Sequence, residues 1–394
     1  LAQLGPLQSM LATPAVDRTP EQQASLLQFY LTTADPIYQQ LAHKATELEA
    51  EREAIRRRTP VTHIQREKPD SEAMAHILMR GEYDQVGDEV TANTPAALPP
   101  LPADAPHNRL GLAQWVVAPE NPLTTRVTVN RFWQQLFGQG IVVTAEDFGV
   151  MGTPPTHAEL LDWLAVDFRE SGWNVKRFFK QMLMSASYRQ AAVATAEKLE
   201  KDPSNSLLSR GPRFRMDGEM VRDYALASSG LLAQEMYGPG VKPYQPGNIW
   251  EIVGLPGGDT RNYVQDTGEG LYRRSLYSFW KRMAPPPNLD AFNAPSREVC
   301  TVRRERTNTP LQALVTLNDP QFVEAARKLA EHAMRIGEGQ SPKVIDEIAL
   351  RVLARPLSER EQSIVFHSYT DLLDYYRAQP DDASALLTVG ESAS

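Results

Sequence analysis

Thr124-Thr125-Arg126-Val127-Thr128-Val129-Asn130-Arg131-Phe132-Trp133-Gln134-Gln135-Leu136-Phe137-Gly138 is the stretch that decides the fold class. Val129, Phe132, Trp133, Leu136 and Phe137 stand at i, i+3, i+4, i+7 and i+8, which gathers them on one face of a helix. Gly138 and Gly140 stop that helix, because glycine accepts the left-handed backbone of a helix C-terminus. Just upstream, Asn108 can cap a helix that buries Leu112, Trp115 and Val116 and ends before Pro119 and Pro122. Just downstream, Thr156-His157-Ala158-Glu159 has the spacing of a capping box, and Leu161, Leu164, Ala165 and Phe168 form the next stripe. Val175, Phe178, Phe179, Met182 and Leu183 repeat the period. Trp133, Phe137, Leu161, Trp163, Leu164 and Phe179 are the expected core of a helical bundle.

Further from this centre the signals change. Residues 20–58 read as two helices broken near Asp35-Pro36, with Leu41, Leu48 and Ile55 seven apart. Lys44 and Glu51 lie between them, so a packed arm or hairpin fits better than a long coiled coil. Residues 62–66 and 76–80 look like short strands joined by a polar loop containing Pro69-Asp70-Ser71. Ala96-Ala97-Leu98-Pro99-Pro100-Leu101-Pro102 then forms a proline-rich linker. The expected organisation is a helical arm over 1–60, strands and linker over 61–105, and a main helical domain over 106–394. Within that domain a helix is expected from about Met216 to Glu235. Thr309-Pro310-Leu311-Gln312 and Asp319-Pro320 open two more, the second carrying Phe322, Ala326, Leu329 and Ala330. Ser341-Pro342 and Ser358-x-x-Glu361 open the last two.

One region breaks the helical pattern. From about 238 to 306 the chain is rich in Gly, Pro, Tyr and Arg, and only residues 271–282 look like a strand. So long an irregular stretch inside a compact domain is often functional. Gly238-Pro239-Gly240 and Gly254-x-x-Gly257-Gly258 read as turns, since neither links a strand to a helix as a phosphate loop does. The fold class is therefore mainly α, a helical bundle with a small β element and a long Arg- and aromatic-rich irregular insertion.

Composition narrows the function classes. Hydrophobic residues at 42% and charged residues at 23% are ordinary globular values. A net charge of -8 disfavours a nucleic-acid binder, and no apolar run has the length of a membrane span. Cys300 is alone, which leaves no disulfide framework, no cysteine-based metal site and no covalent haem motif; a small half-buried residue is expected there. Leu1 opens without a start Met or signal peptide and Glu391-Ser392-Ala393-Ser394 ends abruptly, so both ends are expected to be cut points.

A resemblance covers most of the chain. Residues 121–133 run into Phe137-Gly138. Then come Asp147-Phe148-Gly149, residues 155–165, Ser185-Ala186-Ser187-Tyr188-Arg189, Tyr272-Arg273-Arg274-Ser275-Leu276-Tyr277 and Thr307-Asn308-Thr309-Pro310-Leu311-Gln312-Ala313-Leu314. In this order they resemble the carboxy-terminal domain of unknown function of large exported proteins of planctomycetes and their relatives. The resemblance implies an extracytoplasmic location, and a cytochrome-c-like module and a second uncharacterised domain as neighbours in the parent chain. Haem is expected only in that separate module, and no cofactor in this segment. The family usually continues with another helix, and usually has Pro where Ala158 stands.

Three constellations are candidates for chemistry. Arg126, Asn130 and Gln134 form a polar row expected opposite the Trp133 stripe, able to hold an anionic or hydroxyl-rich ligand or to tie the helix to a loop. Asp147 and His157 flank the turn at 149–155 and are expected near each other, either as an acid/base pair or as turn-former and cap. No metal site is expected, for want of ligand spacing. The strongest signal is the density of Arg273, Arg274, Arg297, Arg303 and Arg304 beside Tyr277 and Trp280 in an acidic chain. At least three of these arginines are expected to converge on one cleft with Tyr277 or Trp280 in its wall, unless Asp217, Glu219 and Asp223 neutralise them. Two functions compete: binding or processing of an anionic, sulfated polysaccharide, and a docking domain that holds the cytochrome-c-like module to a surface partner.

Overall fold

The computed structural model describes residues 5–59, 61–66, 68 and 74–393, and the chain divides into two compact units. The first unit ends at Thr94 and also takes Asp104–Gly111. It holds α1 (Gly5–Ala12), α2 (Pro20–Thr33) and α3 (Pro36–Arg58). The break between α2 and α3 has a local cause: Asp35 accepts from the Tyr38 amide as N-cap, and Pro36 takes the first helical position. Neither helix carries a buried residue. A two-stranded antiparallel sheet follows, β1 (Met74–Leu78) paired with β2 (Val86–Thr91), with an irregularity between His76 and Leu78. The strand expected at 62–66 does not form, and β1 starts two residues before the expected 76–80. Its partner is β2, the far side of a turn in which Arg80 adopts a left-handed backbone. The expected loop at Pro69-Asp70-Ser71 lies outside the described residues.

The second unit comprises Pro95–Ala103 and the chain from Leu112 onward. Between them α4 (Arg109–Val116) is capped by the Asn108 side chain, as its sequence predicts. Trp115 is buried and its indole donates to the Pro99 carbonyl at 2.7 Å, while Leu112 and Val116 stay exposed. The core is built by α5 (Thr124–Phe137), α6 (Ala158–Glu170) and α7 (Val175–Met184). Val129, Trp133, Phe137, Leu161, Leu164, Phe168, Phe178 and Met182 are buried together. Trp133 stacks on Phe137 at 4.0 Å, and Phe132 packs on Phe168, Phe178 and Phe179. Burial of each large side chain contributes about 1.5–3 kcal/mol.

Several expectations need correction here. Trp163 is 53% exposed, because it lies two residues from Leu161 and thus on the far side of the stripe. Phe179 is half-buried rather than central, and Val175 and Leu183 are exposed. His157, not Thr156, is the N-cap of α6, without a side-chain cap; the Thr156 hydroxyl is taken by the Ile141 carbonyl instead.

The rest of the unit follows in order: α8 (Ala186–Arg189), α9 (Ala196–Lys201), α10 (Gly218–Ser229), α11 (Ile249–Val253), α12 (Pro287–Asp290), α13 (Pro310–Asn318), α14 (Pro320–Ile336), α15 (Ser341–Leu353), α16 (Glu359–Ala378) and α17 (Pro380–Leu387). Gly230, at φ +80, ends α10 well before the expected Glu235, and α17 extends the helices beyond the two expected last ones. The Thr309/Gln312 and Ser358/Glu361 capping boxes form as their sequences predict. α14 packs against α10, α13 and α15. Its buried face is Gln321, Phe322, Glu324, Ala325 and Arg327, while Ala326 is exposed. Polar side chains thus occupy what the apolar pattern assigned to alanine.

Candidate functional site

The irregular region is organised by one arginine of α10. Arg222 is buried, and its guanidinium donates to the carbonyls of Leu271 (2.7 Å) and Arg273 (2.8 Å), to Ser275 Oγ (3.2 Å) and to Gln321 Oε1 (2.8 Å). Burial pulls its pKa down to about 10, so it remains charged at neutral pH. Asp223, the next residue, accepts from the Ser275 amide at 2.7 Å. These bonds use up the polar backbone groups that a strand at 271–282 would need for a ladder. The expected strand is replaced by 3-10 turns at Gly268–Leu271 and Ser275–Tyr277 and by isolated bridges at Ser278 and Lys281.

With the backbone held this way, alternate side chains part company. Arg273 points inward and is buried, donating to the carbonyls of Pro239 (2.9 Å) and Tyr237. Its guanidinium lies 3.9 Å from the Tyr277 ring centre, and the Tyr277 hydroxyl accepts from the Tyr237 amide at 2.6 Å. Arg273 and Tyr277 therefore clamp the 237–239 turn. Arg274, one residue on, is exposed and lines a cleft of about 720 Å³.

Arg297 and Arg304 line the same cleft, together with Asp217, Glu219 and Asp223 and with Met216, Met220, Tyr224 and Leu276. Three of the five expected arginines thus meet. Neither Tyr277 nor Trp280 is in the wall; Trp280 instead carries Arg297, whose guanidinium sits 4.7 Å above the indole. Arg297 adopts φ +64, a left-handed conformation that a non-glycine residue holds only when its surroundings impose it. Arg304 pairs with Glu219 and, at 3.9 Å, with Asp217, which also takes Arg306 at 3.5 Å. Arg274 and Arg297 have no carboxylate partner among the described residues. Arg303 is elsewhere, 3.3 Å from Glu146.

The other two constellations are bound into the scaffold. Asn130 is fully buried and reads both backbone groups of Val142, accepting from its amide at 2.8 Å and donating to its carbonyl at 3.0 Å. Gln134 is buried beside it, so the polar row flanks the Trp133 stripe and does not oppose it. Arg126 pairs with Asp162 (2.6 Å), donates to the Pro122 carbonyl, and borders a separate hollow with Phe148 and Pro155. Asp147 accepts from the Gly149 amide at 2.7 Å, and His157 contacts the Thr156 hydroxyl at 3.0 Å; no hydrogen bond or ion pair joins Asp147 to His157. Cys300 is exposed, not half-buried. Among the described residues no cluster of His, Cys, Asp and Glu is arranged to hold a metal ion, and no helix is long and apolar enough to cross a membrane.

Sequence reading missed the α10 wall of the cleft. Met220, Asp223, Tyr224 and Ala227 fall at i, i+3, i+4 and i+7, a helical stripe that marks a face turned away from the Leu226 core side, and Met216 joins them from just before the helix. A family profile described as PSD1, protein of unknown function (DUF1553), matches residues 108–369, two thirds of the chain. The chain belongs to this family. Every residue lining the Arg274 cleft lies inside the DUF1553 region, whereas α1 to α3 and the β1–β2 hairpin lie before it. No curated protein and no solved structure matches the chain.

Proposed function

We propose that this DUF1553 chain is an extracytoplasmic binding module whose cleft takes the sulfate or carboxylate groups of an anionic polysaccharide. The observation that carries the reading is the pair Arg274 and Arg297, which line one cleft with no carboxylate paired to either among the described residues. A guanidinium fork binds such an oxyanion through two parallel hydrogen bonds, and Tyr224, Met216 and Leu276 offer apolar wall to a sugar ring. The cleft carboxylates are already engaged, Asp217 and Glu219 with arginines and Asp223 with the Ser275 amide, which favours binding over processing. The resemblance to exported planctomycete-type proteins supports a location outside the cytoplasm, with haem confined to a cytochrome-c-like module of the parent chain. A docking role for the neighbouring domains is the second reading, favoured by Ile364, Phe366, Tyr369 and Leu372 standing exposed on α16.

The test is calorimetric titration with a sulfated oligosaccharide. Loss of charge-assisted hydrogen bonds in an Arg274→Ala, Arg297→Ala double variant should weaken binding by about tenfold to a hundredfold, and added salt should weaken the wild type. Arg303→Ala should bind as the wild type does. Equal affinity in the wild type and the double variant, or no binding by either, overturns the reading.

A further inference from the structure

A second feature of the unit is independent of the arginine cleft. Residues 389–393 bend at Gly390, Glu391 and Ser392 as they run along α14, and most of the hydrogen bonds that hold them go to their main chain. The Ser392 amide donates to Glu324 Oε1 at 2.7 Å, and the Ser392 carbonyl accepts from Arg327 at 2.6 Å. The Ala393 carbonyl accepts from Lys328 Nζ at 3.0 Å, and the Glu391 amide donates to the Tyr244 hydroxyl at 2.8 Å. Two side chains of the segment are read as well: Ser392 Oγ by Arg327 at 2.8 Å, and the Glu391 carboxylate by the Gly268 amide at 3.0 Å. Glu324 is completely buried beneath the segment; its second bond comes from the Tyr272 hydroxyl, and Oε2 has no partner among the described residues.

The segment itself is not core. Glu391 and Ala393 are exposed, and Val389, Gly390 and Ser392 only half-buried. Every groove residue named here, from Tyr244 to Lys328, lies inside the DUF1553 region, and the occupying segment lies beyond it. Main-chain bonds supply the affinity and two positions supply selectivity, a division of labour common in peptide recognition. At Gly390, with φ +89, an added Cβ would lie 2.2 Å from Glu324 Cδ, so only glycine fits. At Ser392 the hydroxyl accepts a further bond from Arg327. The segment contributes little apolar burial of its own, and an empty groove would leave Glu324 Oε1 without the Ser392 amide, so the site favours being filled.

We infer that the groove of α14, Tyr244 and Gly268 is an exchangeable site for a short bent peptide carrying Gly-x-Ser, filled here by the chain's own residues 389–393.

The test uses the full chain and a fluorescent peptide of residues 388–393. In the wild type the groove is occupied and the peptide binds weakly. In Gly390→Ala the chain's own segment is expelled, and the peptide should bind about tenfold tighter or better, because the competent state is no longer a minor one. A peptide with Ala in place of Gly390 should not bind that variant. A folded Gly390→Ala protein that binds neither peptide, or both alike, overturns the assignment. Wild-type hydrogen exchange gives a second measure. The Glu391 and Ser392 amides should exchange by local opening; exchange only through global unfolding makes the segment a fixed part of the fold and sinks the proposal.

Discussion

Removing the guanidinium of Arg222 would strip two buried carbonyls, a buried hydroxyl and Gln321 of a shared donor. Arg222→Met should therefore destabilise the chain by about 3 kcal/mol or more, read as a lower midpoint in urea denaturation. Nothing in the sequence marks Arg222 as buried, since a helical arginine among polar neighbours reads as a solvated one. Asn130 was legible as part of a polar row that ties its helix to a loop, as it does at Val142; that the row flanks the Trp133 stripe was not, because periodicity ranks polarity and not hydrogen-bond partners. His332 gives a pH test at the same scale. Burial first, and then Arg351 and Arg335, hold its imidazole below the ordinary value of 6.5. The unfolded chain then takes up a proton that the folded chain refuses, so stability should fall as pH drops below 6.5. The fall should be smaller in His332→Gln, measured by denaturation midpoints across that range.

At the scale of elements, α16 is started by a capping box in which Glu361 also pairs with Arg355. Arg355, and then the Ser358 amide and hydroxyl, hold the Glu361 carboxyl down at about 2. A depressed carboxylate stabilises above its unfolded value of 4.5, and its contribution is lost as pH falls through about 2. Amide protection in the first turn of α16 should decline over that window and show no such step in Glu361→Gln. This box and the Thr309 box were legible because each is a purely local pattern. The 271–282 strand was misread because its backbone partners come from Arg222, about fifty residues away in sequence. The α14 face was misread because Gln321, Glu324 and Arg327 take buried positions that a hydrophobic stripe cannot announce.

At the scale of the molecule the two units differ in what holds them. The second has the aromatic core of α5, α6 and α7, and its mainly helical class was legible from the i, i+3, i+4 spacing alone. The first has α2 and α3 without a buried residue and a hairpin with hardly any shielding. Helices lacking tertiary burial are marginal in water. The amides of α3 should therefore exchange orders of magnitude faster than those of α5, in one hydrogen-exchange experiment on the whole chain. Equal protection in α3 and α5 would contradict this division.

The perch of Arg297 on Trp280 has an optical consequence. The indole is fixed by its own bond to the Ser296 carbonyl at 3.0 Å, so the ring stays put while the cation above it is free to leave. A bound oxyanion that draws the guanidinium away changes the electric field across that chromophore. Trp280 thereby becomes a native fluorescence gauge of occupancy. Its emission should shift on titration with a sulfated glycan, and the difference signal should vanish in Trp280→Phe.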